Sequence, residues 1–258
     1  MNLIASTAPF FLRPVHEAFR GISDAGFTGV EVMVTHDETT QDAGRLARAA
    51  SGFGLTVEAI HTPSLLLTRR VWGPDPVAKV TRAIETASDT GAPVVVAHPP
   101  YRWQHGYRTW LDQEMPFLAE RAGVTVAMEN MFTVRARKLK GPRLHDDDLD
   151  GYAKVTLDTS HAAVAGHDPI EAAAESGARL AHVHLSNNSG KGWDSHLPVY
   201  EGVLPIAGLL DHLENSGYEG AVSLELDLRR WMDRPAELSA VLRRNKEFCT
   251  AALPMAVH

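Results

Sequence analysis

The chain has one cysteine, Cys249, in 258 residues. No intrachain disulfide can form, and a reducing compartment such as the cytoplasm fits. No apolar run is long enough to cross a membrane. The opening MNLIASTAPFFL has no basic segment ahead of its apolar stretch and no small-residue cleavage pattern, so we expect a cytoplasmic protein without a membrane partner. Positive charge is not in surplus either: 25 Lys and Arg stand against 32 Asp and Glu, a net charge of −7 with His neutral. That balance argues against nucleic acid as a partner, whose binding surfaces are basic. No tract rich in Pro, Gly or Ser divides the chain, and residues 1–258 read as one domain. Finally, ASTAPFFL after the first apolar run holds no glycine, so the phosphate-gripping loop of an open doubly wound sheet is missing.

What is present is a repeat of short apolar, β-branched runs alternating with helical periodicity. The runs are Asn2–Ser6, Gly29–Val34, Thr56–His61, Pro93–His98, Val124–Glu129, Lys154–Asp158, Leu180–Leu185 and Ala221–Glu225. Helices are expected over Pro14–Ala25, Gln41–Phe53, Pro76–Thr90, Arg108–Arg121, Asp168–Ser176, Ile206–Ser216 and Pro235–Ala252. Glycine closes several helix-to-strand joints, as at Gly91 and Gly123. Eight such units in 258 residues predict a parallel sheet closed into a (β/α)8 TIM barrel.

Six of those runs end in an imidazole or a carboxylate: His61, His98, Glu129, Asp158, His184 and, on the last, Glu225. A barrel of this class gathers its strand ends at one mouth, where its chemistry lies. Burying those groups together is costly without a compensating charge, and metal is the obvious compensation. Glu129, Asp158, His184 and Glu225 suit a divalent ion such as zinc, manganese or cobalt. His61 and His98 fall on the other side of Glu129, which is placed to bridge two ions. Asp194-Ser195-His196 forms a D-x-H pair that could join His161 in a compact third site. Taken singly, a strand-end histidine is more often hydrogen-bonded than metal-bound. Nine residues of the right type at one pole are hard to obtain by accident. His182, two residues before His184, points inward one layer lower and reads as a satisfied interior histidine.

The segments VAMENM, LDTSHAAVAGHDP, HVHLSNNSGKGWDSHLPVYEG and LELD resemble the xylose-isomerase-like TIM-barrel superfamily. That superfamily holds sugar-phosphate isomerases and epimerases and also the endonuclease IV family. The endonuclease IV resemblance implies one metal on His61, His98 and Glu129, a second on Glu129, Asp158, His184 and Glu225, and a third on His161, Asp194 and His196. All nine positions are filled. The isomerases and epimerases resemble the chain in the second set alone, with one metal, and with the carboxylates matching Glu129 and Glu225 serving as acid and base. One to three divalent ions per chain are therefore expected, with Glu129, Glu225 and His161 as catalytic groups.

Moving a proton between sugar carbons needs one metal and two carboxylates, leaving His61, His98, Asp194 and His196 surplus. Phosphate-ester hydrolysis has a use for every ligand, since one ion activates water while another steadies the departing oxygen. Hydrolysis of a phosphate ester or phosphodiester of a small, sugar-like metabolite is the first reading. A one-metal sugar-phosphate isomerase or epimerase is the alternative, and abasic-site DNA cleavage stands third. For the substrate, Glu31 could reach a hydroxyl, and Tyr101, Arg102 and Trp103 offer aromatic faces and a cation. Arg135 and Arg137, within the run TVRARKLKGPR, could hold an anion. Trp193, Arg229 and Trp231 are weaker candidates. Barrels of this class often associate, so a homo-oligomer is a further expectation.

Overall fold

The computed structural model describes residues 1–63, 70–132 and 149–253, together with the backbone of 135–136 and 139–140. Ten strands occur among them: β1 (Asn2–Ser6), β2 (Gly29–Met33), β3 (Thr56–His61), β4 (Val94–Ala97), β5 (Thr125–Glu129), β6 (Arg135–Ala136), β7 (Leu139–Lys140), β8 (Val155–Asp158), β9 (Leu180–Leu185) and β10 (Ala221–Leu224). Eight of them close a barrel in the order β1-β10-β9-β8-β5-β4-β3-β2. Each neighbour in the barrel pairs in parallel. The short β6–β7 hairpin is antiparallel, lies outside the barrel and was not expected from the sequence.

The helices between strands are α1 (Val15–Asp24), α2 (Ala43–Gly52), α3 (Pro76–Thr90), α4 (His105–Gln113), α5 (Met115–Ala122), α6 (Thr159–Ala165), α7 (Pro169–Ser176), α8 (Ile206–Asn215) and α9 (Pro235–Ala252). Helix α3 shows why such segments fold locally. Asp75 caps it by accepting from the Val77 N–H at 3.0 Å, and Pro76 fills the first turn where no donor is needed. Val80, Ala83, Ile84 and Ala87 recur on one face and are buried. Gly91 then ends the helix at φ 78°, a left-handed conformation that glycine adopts without a Cβ penalty. The helix expected over Arg108–Arg121 is two helices, because Pro116 falls in the first turn of α5 and cannot continue α4. Helix α6 was not expected, and it carries His161.

Strand alternation divides the interior. Outward residues such as Val30, Val32, Ile60, Val95, Leu157, Val183 and Val222 join the helices in the main apolar core. Inside the barrel, Ala59, Val94, Val96 and Ala127 form a separate small cluster. The other side of the interior is polar, with Ser6, Glu31, Thr156, His182 and Ser223 at most 2% exposed. Among the described residues no helix is long and apolar enough to cross a membrane.

Candidate metal centre

Six barrel strands deliver a residue at or next to their C-terminal end to one pole: His61, His98, Glu129, Asp158, His184 and Glu225. Glu129 sits at the centre of what results. Its Oε2 lies 3.1 Å from His98 Nε2 and 3.6 Å from His61 Nε2. Its Oε1 lies 3.0 Å from His184 Nδ1 and 3.5 Å from His161 Nδ1. His184 Nδ1 is also 3.0 Å from Glu225 Oε2 and 3.8 Å from Asp158 Oδ2. Asp194 Oδ2 is 3.4 Å from His161 Nε2 and 2.9 Å from His196 Nε2. Three groups of donor atoms are close enough to hold an ion: His61, His98 and Glu129; Glu129, Asp158, His184 and Glu225; and Asp158, His161 and His196. Eight of the nine sequence-derived ligand candidates fall in these groups, Glu129 and Asp158 each in two; in the third, Asp158 stands where Asp194 was expected, and Asp194 lies beside His161 and His196.

The imidazoles are held by their far nitrogens. His61 Nδ1 lies 3.0 Å from the Thr62 carbonyl, His161 Nδ1 2.9 Å from that of Asn130, and His196 Nδ1 3.0 Å from that of Glu225. A carbonyl only accepts, so these Nδ1 atoms carry a proton and turn Nε2 to the centre, where it can take a metal or a second proton. Asn130 is itself fixed, accepting from the Asp158 N–H and donating to the Asp158 carbonyl. The D-x-H segment is built around Ser160. Its hydroxyl donates to Asp194 Oδ1 at 2.6 Å and accepts from Asn188 Nδ2 at 2.9 Å. His196 has φ 39°, one of two non-glycine residues at positive φ among the described residues, and such strain is kept where the surroundings over-determine it.

Three carboxylate oxygens, Glu129 Oε2, Asp158 Oδ2 and Glu225 Oε2, are buried and accept no hydrogen bond. Orphaned buried anionic oxygens are costly. Aimed at one space beside imidazoles, they fit a divalent cation. The electrostatics agree. Burial pushes Glu129 up, but the His184 charge and the close approach of the His184, His61 and His98 imidazoles outweigh it and hold Glu129 well below the carboxylate range. Burial pushes Glu225 up, and the charges of His184, His196 and His61 only partly offset it. Burial would lower His161, yet Asp158, Asp194 and Glu129 carry it up to about 10. His184 and His196 are raised for the same kind of reason. Protons on imidazoles therefore balance the carboxylates in the metal-free site, in the place divalent ions would take.

Above the cluster opens a cavity of about 480 Å³ whose lining includes Phe11, Met33, Met131, Phe132, Leu226 and Leu228 along with seven of the ligand candidates, all but Asp158 and His184. None of these apolar wall residues stood out in the sequence, because nothing distinguishes a wall leucine from a core leucine in one chain. Glu31 is corrected by the structure. It does not face a substrate; it is fully buried beneath the centre, bonded to Ser6, His182 and His184. Tyr101 is 9% exposed and stacks on Trp103 at 4.9 Å between ring centroids. Neither it, Arg102 nor Trp103 is among the cavity-lining residues. The side chains of Arg135 and Arg137 lie outside the described residues. Arg229 does line the cavity, with its guanidinium on Asp227. His182 is paired through Nε2 as expected, but its buried Nδ1 has no partner.

Residues 19–247 match the family described as xylose isomerase-like TIM barrel. An uncharacterised protein of Mycobacterium tuberculosis is 35% identical over 243 residues, covering 86% of this chain and 87% of its own length. Among solved structures, a D-tagatose 3-epimerase-like protein superposes with a TM-score of 0.68 at 22% identity, over 97% of this chain and 99% of that one. An AP endonuclease, family 2, from Brucella melitensis superposes with a TM-score of 0.64 at 20% identity, over 90% and 98%. The chain belongs to the xylose isomerase-like TIM-barrel family.

Proposed function

On the premise of that membership, we propose that the protein is a metal-dependent phosphoesterase acting on a small, sugar-like phosphate ester or diester. The observation that carries the reading is the gathering of nine candidate donors in one cluster, seven of them lining the cavity above it, with Glu129 shared between two groups. An epimerase needs only the four-residue group; His61, His98, His161, Asp194 and His196 have work as ligands only if further ions bind. Zinc, manganese or cobalt at these positions would polarise a phosphoryl oxygen and acidify water. The protein's own part is to hold His61, His161 and His196 with Nε2 toward the cavity and to keep Asp194 aimed by Ser160. Phe11, Met131, Phe132 and Leu228 exclude bulk water, which strengthens every charge interaction inside. Arg229 is the arginine we assign to the departing anion. We infer that residues 1–258 act as one domain, in the cytoplasm, where a single cysteine stays reduced.

A second reading has its own support. Glu129 is held low while Glu225 is raised, and two carboxylates pushed apart in one cavity suit a base and an acid. That is the arrangement a one-metal sugar isomerase or epimerase needs. DNA is set aside on the net charge of −7.

Elemental analysis of protein purified without chelator or metal-affinity resin separates the two. Close to three ions per chain, with turnover of a chromogenic aryl phosphodiester, supports the phosphoesterase. Close to one ion, with ketose turnover, overturns it. His196→Ala sharpens the test: a roughly 10²-fold or greater loss is expected for the phosphoesterase, and a change within about 2-fold for a one-metal isomerase.

A further inference from the structure

Among the four imidazoles with a held far nitrogen, His184 is inverted. His61, His161 and His196 each place Nδ1 on a backbone carbonyl and turn Nε2 to the centre. His184 turns Nδ1 to Glu129, Glu225 and Asp158, and sets Nε2 3.0 Å from a carboxylate, Glu31 Oε2. Glu31 is fully buried, as are His182 and His184. Its Oε2 also accepts from His182 Nε2 at 2.5 Å, and its Oε1 accepts from the Ser6 hydroxyl at 3.0 Å. Three donors thus meet on this one carboxylate.

We propose that Glu31 is a positioning residue for the central ion, acting through His184. It fixes the tautomer with the proton on Nε2, so that the Nδ1 lone pair faces Glu129, Asp158 and Glu225. A charged acceptor also makes the imidazole a better donor to a metal than a neutral carbonyl does. His182 and Ser6 hold the Glu31 carboxylate itself in place across the barrel. Glu31, His182 and His184 do lie close enough together to resemble a fourth ion site. The hydrogen bonding argues otherwise. Both Glu31 oxygens accept hydrogen bonds, whereas the centre leaves three carboxylate oxygens without one, and none of the three residues lines the cavity above the centre. These are hydrogen bonds, and the cluster supports the centre from below.

The inference rests on the four-residue group holding an ion, and not on the number of further ions. Glu31→Gln keeps the volume and removes the charge. The probe is Zn²⁺ alone, titrated against a competing chelator, with bound zinc counted after gel filtration. Glu31→Gln is expected to weaken one zinc by about 10- to 100-fold and leave the others at wild-type affinity. Wild-type affinity at every site in Glu31→Gln overturns the proposal. If that variant does not fold, the zinc-loaded wild-type protein decides, by nitrogen-resolved NMR of its histidines. A proton on His184 Nε2 with Nδ1 on zinc is expected; the opposite assignment overturns it. A wild-type protein that binds a single zinc sinks the several-ion reading, while Glu31→Gln must still weaken that one ion. A wild type that binds no zinc sinks both.

Discussion

The barrel interior holds two layers built by the same strands, two residues apart. On β3 the pair is Ala59 and His61; on β5, Ala127 and Glu129; on β8, Thr156 and Asp158. On β9 it is His182 and His184, and at the end of β10, Ser223 and Glu225. Successive inward residues stand about 6.6 Å apart along a strand. Over that step the interior changes from small apolar or neutral groups to a ring of carboxylates and imidazoles. The lower layer leaves neutral atoms without a partner, Thr156 Oγ1, His182 Nδ1 and Ser223 Oγ, and Glu31 ties His182 to the layer above. The upper layer leaves three carboxylate oxygens without a hydrogen bond. Function is concentrated where the unsatisfied groups are acidic.

The sharpest way to break the contrast is to change the same strand on each layer. Glu129→Gln strips a ligand from two groups at once. We expect a loss of about 10³-fold or more in phosphodiester turnover, roughly 4 kcal/mol, with bound metal falling by about two ions. The fold should survive, because the apolar core that closes the barrel on its helices is untouched and only the pairing of Glu129 with its imidazoles is lost; circular dichroism and metal analysis check both halves. Ala127→Asp, one layer down, should do the reverse. Its charge would meet Ala59, Val94 and Val96 with no partner, costing about 3–5 kcal/mol of stability. Denaturant unfolding measures it. Near-wild-type stability would mean the lower layer is not the closed apolar plug described above.

The upper layer was legible in the sequence and the lower one mostly was not. An acid or histidine at the end of a β-branched run stands out, so His61, Glu129, Asp158 and His184 could be placed at one mouth before any coordinates. Register supplied the rest, since the alternation that points Glu129 inward also points Ala127 inward. Glu31 was misread for a related reason. It lies on a strand and is acidic, but whether it faces a substrate or a neighbour below depends on strand stagger, which one sequence does not show. The β2–β3 register shifts between Val30 and Glu31, with Glu31 paired to Ala59. Ser160 and Asn188 were invisible because serine and asparagine are ordinary in loops. Helix α6 was passed over because TSHAAVA is short and follows its strand without a break.

A smaller effect sharpens the contrast by pH. In the metal-free protein His161 is carried up to about 10, and His184 and His196 are also raised. A histidine raised on folding contributes stability that is fully present below its unfolded value near 6.5 and is lost as pH rises through the folded value. The chelated protein should therefore lose stability between about pH 6.5 and 10. Metal takes the place of those protons, so loading should release protons, and apparent metal affinity should rise with pH over the same window. Thermal midpoints with and without chelator, and calorimetry in two buffers of different ionisation heat, test the two signs. A chelated protein that gains stability over that window would show that the imidazoles do not hold the carboxylates together.

The smallest expected effect lies back in the lower layer. Thr156 Oγ1 is buried and has no protein partner within hydrogen-bonding reach. A hydroxyl in that position bears its desolvation cost without return, so an isosteric methyl should be neutral or better. Thr156→Val is expected to raise stability by up to about 1–2 kcal/mol, with metal content unchanged, because Asp158 two residues on keeps its own support from Asn130. If the variant instead loses about 1 kcal/mol or more, the hydroxyl is held by an ordered water. The lower layer would then be a wet polar network continuous with the Glu31 cluster, and the boundary between filler and chemistry would fall one residue deeper into the barrel.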